Sequence, residues 1–245
     1  MSNWTRFIAG FDVHGDKQNK AACEVFFRFM KDWKPEIRVM GGDLFDFRPL
    51  RRKASEDERR ESMREDFEAG MDFLHRFQPS HFCLGNHDAR LWELAEADKG
   101  VESDYAYQGV NDITTTCERF KCKLYPYHKR EGIIRIGSHL KILHGFASGV
   151  YAARQTALVY GSVLFGHIHV VDEHSIPGLD RRVARCCGCL CELDMDYAAR
   201  TPSTLRQANG FAYGVVHKKT GLYHVWTAES INGQWMIPSD IAEYQ

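Results

Sequence analysis

The sequence predicts an α/β fold built as one domain, and three observations predict it. Short apolar segments alternate along the chain with amphipathic ones, the pattern of strands and helices taking turns around a sheet. At 245 residues the chain is long enough to bury about three quarters of its unfolded surface without disulfides or a structural metal. No repeat, low-complexity stretch or linker interrupts residues 1–245, so a single domain is expected.

Residues 6–12 (RFIAGFD) form an apolar run ending at a glycine turn, and Asp16 stands where a helix N-cap belongs, ahead of a periodic segment at 17–33 that Pro35 closes. Residues 37–42 read as a second buried strand. Ser55 and Glu58 make a capping box, and Met63, Phe67, Met71, Leu74 and Phe77 repeat every three or four residues, which predicts one long helix over 55–77. A third strand is expected at 81–84 and a short helix at 91–97. The pattern loosens at about 99–132, where a cap over the site or a surface excursion fits equally well. Strands return at 133–136, 140–144, 162–165, 182–191, 211–217 and 222–227, with a hairpin at the Lys218-Lys219-Thr220-Gly221 turn.

Composition narrows the classes further. Hydrophobic residues are 44% and charged residues 27%, which excludes disordered, collagen-like and coiled-coil proteins. Lys plus Arg is 32 against 33 for Asp plus Glu, so attraction to a polyanion must come from local clustering. No apolar run reaches the roughly 18 residues of a membrane span and the N-terminus lacks the layout of a signal peptide, so no membrane partner and a cytoplasmic enzyme are expected. Cys186, Cys187, Cys189 and Cys191 crowd together, but alternate thiols on one strand do not converge tetrahedrally, so buried cysteines in a reducing compartment are expected rather than zinc ligands.

The ends of the apolar runs carry the chemistry. They read Asp12-Val13-His14, Gly42-Asp43-Leu44-Phe45-Asp46, Gly85-Asn86-His87-Asp88, His144-Gly145 and Gly166-His167-Ile168-His169. In α/β sheets, sites gather at the carboxyl ends of strands, so residues this far apart in sequence can converge. Carboxylate, amide oxygen and imidazole without thiolate favour Mn²⁺, Fe or Zn²⁺, and a carboxylate such as Asp43 has the two oxygens needed to bridge two ions.

These blocks, in this order and spanning Asp12 to His169, resemble the signature of the calcineurin-like metallophosphoesterase superfamily. The resemblance implies a four-layer α-β-β-α sandwich of two mixed sheets. It implies two divalent metal ions, Mn²⁺ first with Fe or Zn²⁺ as the others. Asp12, His14 and His169 would hold one, Asn86, His144 and His167 the other, and Asp43 would bridge them. His87 matches the family's non-ligand histidine, a general acid or stabiliser of the phosphoryl oxygens, and Asp46 the aspartate that orients it. The implied reaction is hydrolysis of a phosphoester by a water between the metals, attacking phosphorus in line.

The substrate stays open. In the phosphoprotein branch Arg follows the second aspartate directly, whereas Phe47 stands there in this chain and Arg48 comes one residue later. Arg48, Arg51, Arg52 and Lys53 form a basic run beside the site, which slightly favours a phosphodiesterase or nuclease, with nucleic acid as a candidate partner, over a monoesterase or nucleotide hydrolase. Arg48, Arg51, Arg52 and His128 are the candidate substrate contacts. A metal-free binding scaffold of the same fold is the alternative outside the enzymes, and the oligomeric state is not fixed by the sequence.

Overall fold

The computed structural model describes residues 2–179, 182–193 and 202–237. Its first half runs β1 (Trp4–Gly10), α1 (Lys20–Trp33), β2 (Ile37–Met40), α2 (Glu56–Arg60), α3 (Met63–Phe77), β3 (His81–Cys83), α4 (Ala89–Ala95), α5 (Val101–Arg119) and β4 (Lys123–Tyr125). There follow β5 (Ile134–Ile136), β6 (Leu140–Leu143), α6 (Ala152–Tyr160), β7 (Val163–Phe165), β8 (Val171–Ile176), β9 (Arg182–Cys187), β10 (Gly210–His217), β11 (Tyr223–Ile231) and β12 (Gln234–Met236).

Seven strands make one sheet in the order β12-β11-β10-β1-β2-β3-β4, and five make a second in the order β5-β6-β7-β9-β8. Both sheets are mixed. β1 to β4 run parallel to one another and β10 to β12 extend the sheet antiparallel from β1, while β6, β7 and β9 are parallel within the second sheet.

Strand alternation explains the layering. Phe7 and Ala9 of β1 point into a core shared with Ile134, Ile142 and Leu164 of the second sheet, whereas Ile8 points the other way, into a core with Phe26, Phe73, Phe77 and Ile113 of the helices. On the far face of the second sheet, Ala153 and Ala157 of α6 cover Val163, Phe165 and Ala184. The order helices, sheet, sheet, helix is the expected four-layer sandwich.

Several local expectations are corrected. The first long helix begins at Lys20 rather than 17, because Asn19 caps it by accepting the Ala22 N–H at 3.0 Å, and Asp16 pairs with Arg48 instead. The helix expected over 55–77 is two helices. The Ser55–Glu58 capping box forms, but the chain turns at Glu61, whose carboxylate also goes to Arg48, and Ser62 caps a second helix through the Glu65 N–H at 3.2 Å. The loosened stretch holds a 19-residue helix, α5, whose Ala106, Ile113 and Cys117 enter the helical core, and β4, which pairs with β3. The strand expected over 182–191 stops at Cys187, because Gly188 takes φ 78°. The hairpin between β10 and β11 forms as expected. Among the described residues no helix is long and apolar enough to cross a membrane.

Candidate metal centre

All five sequence blocks leave the carboxyl ends of parallel strands: β1, β2 and β3 of the first sheet, β6 and β7 of the second. The two sheets face each other, so the loops meet across the interface. Asp12, His14, Asp43 and Asn86 come from one sheet, and His144, His167 and His169 from the other.

The backbone bends hard to achieve this. Asp12, His14, Asp43, His167 and His169 have φ between 50° and 74°, the left-handed region that L side chains adopt at a cost of about 1–3 kcal/mol each. Hydrogen bonds hold the turns: the Asp12 N–H donates to Gly42 O at 3.0 Å, and the Val13 and His14 N–H groups both donate to Asp43 O, at 2.9 and 3.0 Å. Asp88, fully buried, accepts from the Gly85 N–H at 2.8 Å and the Phe45 N–H at 2.9 Å, tying the third block to the second. Asp66 of α3 accepts from the Asp46 and Phe47 N–H groups at 3.1 and 2.6 Å.

The seven candidate ligands converge. His14 Nε2 lies 3.1 Å from His169 Nε2 and 3.9 Å from Asp43 Oδ2. Asp12 Oδ1 is 3.6 Å from His169 Nε2. On the other side Asp43 Oδ2 is 3.2 Å from His144 Nε2, and Asn86 Oδ1 meets His144 Nε2 at 3.0 Å and His167 Nδ1 at 2.8 Å. Asp43 therefore belongs to two neighbouring donor groups, one with His14 and His87 and one with His144 and His167. A third group joins His14 and His169 to Cys191, whose Sγ is 3.7 Å from His169 Nδ1.

Electrostatics divides the histidines. Burial opposes charge on His14, but Asp46, Asp43 and Asp12 outweigh it and raise its pKa to about 10. His144 behaves likewise: burial is overcome by Asp43 and Asp12, raising it to about 9. Burial and the charge on His144 push His167 down to about 4, and burial with His14 holds His169 well below its ordinary value. Burial would raise Asp43 and Asp46, but His144 and His87 hold Asp43, and His14 and His87 hold Asp46, well below the usual carboxylate range. Burial raises Asp12 to about 7.

The donor set fits divalent cations. Asp12, His14, Asp43, His144 and His169 are buried together at 8% exposure or less with Asn86 and His167 half-buried beside them, and the Nε2 atoms of His14 and His169 face each other at 3.1 Å. Carboxylate charge concentrated like this needs positive charge beside it. The facing carboxylates accordingly hold His14 and His144 above the ordinary imidazole range.

Beside the ligands, Asp46 Oδ1 meets His87 Nδ1 at 2.5 Å, and the Arg90 guanidinium donates to the Asp46 carbonyl at 2.9 Å. His87 Nε2 thereby faces Asp43 Oδ2 at 3.9 Å, and its side chain keeps 20% exposure.

The four expected substrate contacts fare differently. Arg48 is corrected: it is 4% exposed and spends its guanidinium on Asp46, Asp16 and Glu61, so it is closed to a substrate. Arg51 pairs with Glu58 at 2.6 Å, and Arg52 is exposed. His128 accepts the N–H of Glu131 in its own turn, whereas its neighbour Tyr127 packs edge-on against His144 with centroids 5.8 Å apart and donates to Gly145 O. The sequence reading missed Asp66, Arg90, Tyr127 and Cys191. Asp88 was visible as the last residue of the third block and Cys191 as the last of the crowded cysteines, set aside there as a buried strand residue; Asp66, Arg90 and Tyr127 carry no local signal.

No protein-family model and no curated protein matches the chain. Solved structures do. Vacuolar protein sorting 29 from Cryptosporidium parvum is 11% identical with a TM-score of 0.50, covering 95% of both chains. A phosphatase from Mycoplasma pneumoniae is 10% identical at TM-score 0.43, covering 94% of this chain and 95% of its own. A dimetal phosphatase from Danio rerio is 12% identical at 0.40, covering 91% and 98%. With two mixed sheets between helical layers and the site at their carboxyl edges, this chain has the calcineurin-like metallophosphoesterase fold.

Proposed function

We propose that the chain is a metal-dependent phosphoesterase, with phosphodiesters as its preferred substrates. The observation that carries this is Asp43, one carboxylate shared by two adjacent donor groups. Asp12, His14, His169 and Asp43 would hold one divalent ion and Asp43, Asn86, His144 and His167 a second, with Mn²⁺ the first choice and Fe or Zn²⁺ the others. Such a pair supplies charge for the phosphoryl oxygens and an activated water.

The chain's own residues do the rest. Asp46 fixes His87 through Nδ1, so Nε2 points at the site, where it can donate to a phosphoryl oxygen or give its proton to the departing oxygen as the P–O bond breaks. Arg90 keeps positive charge beside His87, with its Nη1 3.2 Å from His87 Nδ1. Eight unpaired cysteines, all buried, support a reducing compartment, in keeping with a cytoplasmic enzyme.

The test is hydrolysis of an aryl phosphodiester and an aryl phosphomonoester by chelator-treated protein before and after Mn²⁺ is returned. Activity should vanish and return, with the diester turned over faster. Metal-free protein that turns over as fast as the loaded one overturns the metal-dependent reading, and no turnover in either state leaves a binding scaffold.

A further inference from the structure

Beyond His87 and Arg90 the surface opens into a groove of about 720 Å³ between the loop after β2 and helices α4 and α5. That volume lies in the range of small-ligand sites. Its floor is apolar, with Leu50, Met63 and Leu94, and the exposed Val101 and Tyr105 stand along it, Tyr105 at 57% exposure. Its rim is cationic: Arg90 lies at the end nearest the metal centre and Arg51, Arg59 and Lys99 line the rest, against the carboxylates Glu93 and Glu102.

Arg90 joins this groove to the candidate metal centre. Its guanidinium holds the Asp46 carbonyl at 2.9 Å and lies beside the ring of His87, so one side chain both lines the groove and touches the group that would protonate a leaving oxygen. The contents of the groove suit a particular ligand. Flat apolar surface with one aromatic ring accepts a base, cations accept a phosphate, and the two carboxylates can accept hydroxyl or amino hydrogens. A lipid tail would call for an enclosed apolar tunnel, whereas this groove is open and rimmed by charge.

We propose that the groove is the leaving-group subsite of the phosphoesterase and that it takes a nucleotide, its phosphate on Arg59 and Lys99 and its base on the floor beside Tyr105. This rests on the phosphoesterase reading and specifies its substrate as a nucleotide diester.

Two measurements on the full chain test it. In the first, thymidine 5′-monophosphate is titrated calorimetrically into wild type, an Arg59→Glu, Lys99→Glu double variant and Tyr105→Ala. Affinity should fall about tenfold or more in the double variant and about threefold or more in Tyr105→Ala. In the second, kcat/KM for the dinucleotide pTpT is divided by that for bis(p-nitrophenyl) phosphate in Mn²⁺-loaded protein, and the ratio should fall about tenfold in the double variant, mainly through KM. Equal thymidine monophosphate affinity in all three proteins overturns the subsite, as does dodecyl phosphate binding more tightly than the nucleotide with the same dependence on Arg59 and Lys99. Wild type that binds the nucleotide through these residues but hydrolyses neither diester leaves the subsite standing and sinks the phosphoesterase reading.

Discussion

Asp46 holds His87 from one side and is itself held by Arg48 from the other: Oδ1 lies 2.5 Å from His87 Nδ1, and Oδ2 accepts from Arg48 Nη1 at 2.6 Å. His87→Ala should keep both metals yet lose about 10²- to 10⁴-fold in kcat, because it removes a proton donor rather than a ligand. Asp46→Asn should show a smaller loss in kcat with KM little changed. Metal content measured beside turnover decides the point, since a His87→Ala protein holding one ion or none would make His87 a ligand.

Arg48 gives a contrasting expectation. Its guanidinium neutralises Asp46 in the interior and ties in Asp16 and Glu61. Removing one member of a buried ion pair typically costs about 3–5 kcal/mol, so Arg48→Ala should lower the denaturation midpoint markedly. An unchanged midpoint with a raised KM would return Arg48 to the substrate contacts.

Metal uptake should release protons. A free imidazole titrates near 6.5, but the carboxylates raise His14 to about 10 and His144 to about 9, so both carry protons at pH 7 in the metal-free protein. His167, at about 4, and His169 carry none. Metal must displace these two protons, together with the one that Asp12, raised to about 7, still partly holds at pH 7, so apparent affinity should rise between pH 7 and 9 by about tenfold per unit for each proton lost. Titrations of Mn²⁺ in two buffers of different ionisation enthalpy read the number directly; zero protons at pH 7 would contradict the assignment.

Gly85 is a position where one methyl group should matter. A Cβ there would fall 2.0 Å from Asp43 Oδ1 and 2.4 Å from the Asp43 nitrogen. Gly85→Ala should therefore displace the shared carboxylate and lower metal stoichiometry while the protein still folds, which metal analysis with circular dichroism would show. Two ions retained at wild-type affinity would count against Asp43 as the bridge.

Cys191 deserves its own variant, because its sulfur faces the nitrogen of His169 that points away from His14. Cys191→Ala should weaken metal binding about 10- to 100-fold, the usual effect of losing a group that orients a ligand histidine. Cobalt-loaded wild type lacking a sulfur-to-metal absorption band would place the thiol outside direct coordination, and the band's presence would make Cys191 a ligand.

Much of this was legible in the sequence because each block is local. An Asp or His beside glycine at a strand end carries its own turn, and five of them in order specify where the sheets must meet. What was not legible depends on distant partners. Asp16 looks like an N-cap until Arg48 claims it, and the break at Glu61 follows from the same arginine, so one buried guanidinium undid two local readings. Asp66 sits on a helix with nothing around it to mark that its carboxylate holds the Asp46 and Phe47 N–H groups. The helix α5 has weak amphipathicity because its polar and apolar residues share faces, so periodicity did not reveal it. Cys191 reads as a strand residue until Gly188 ends the strand and turns the chain toward His169.

That the donors hang from both sheets has a mechanical side. One cation gripped by Asp12 on one wall and His169 on the other, and a second gripped by Asn86 and His144, would act as rivets between two slabs. Chelation should then loosen the slabs relative to one another before either melts. Amide exchange should quicken first in β6 and β7, whose ends carry the second wall's histidines, while the long β10–β11 hairpin at the other side of the seven-stranded sheet keeps its protection.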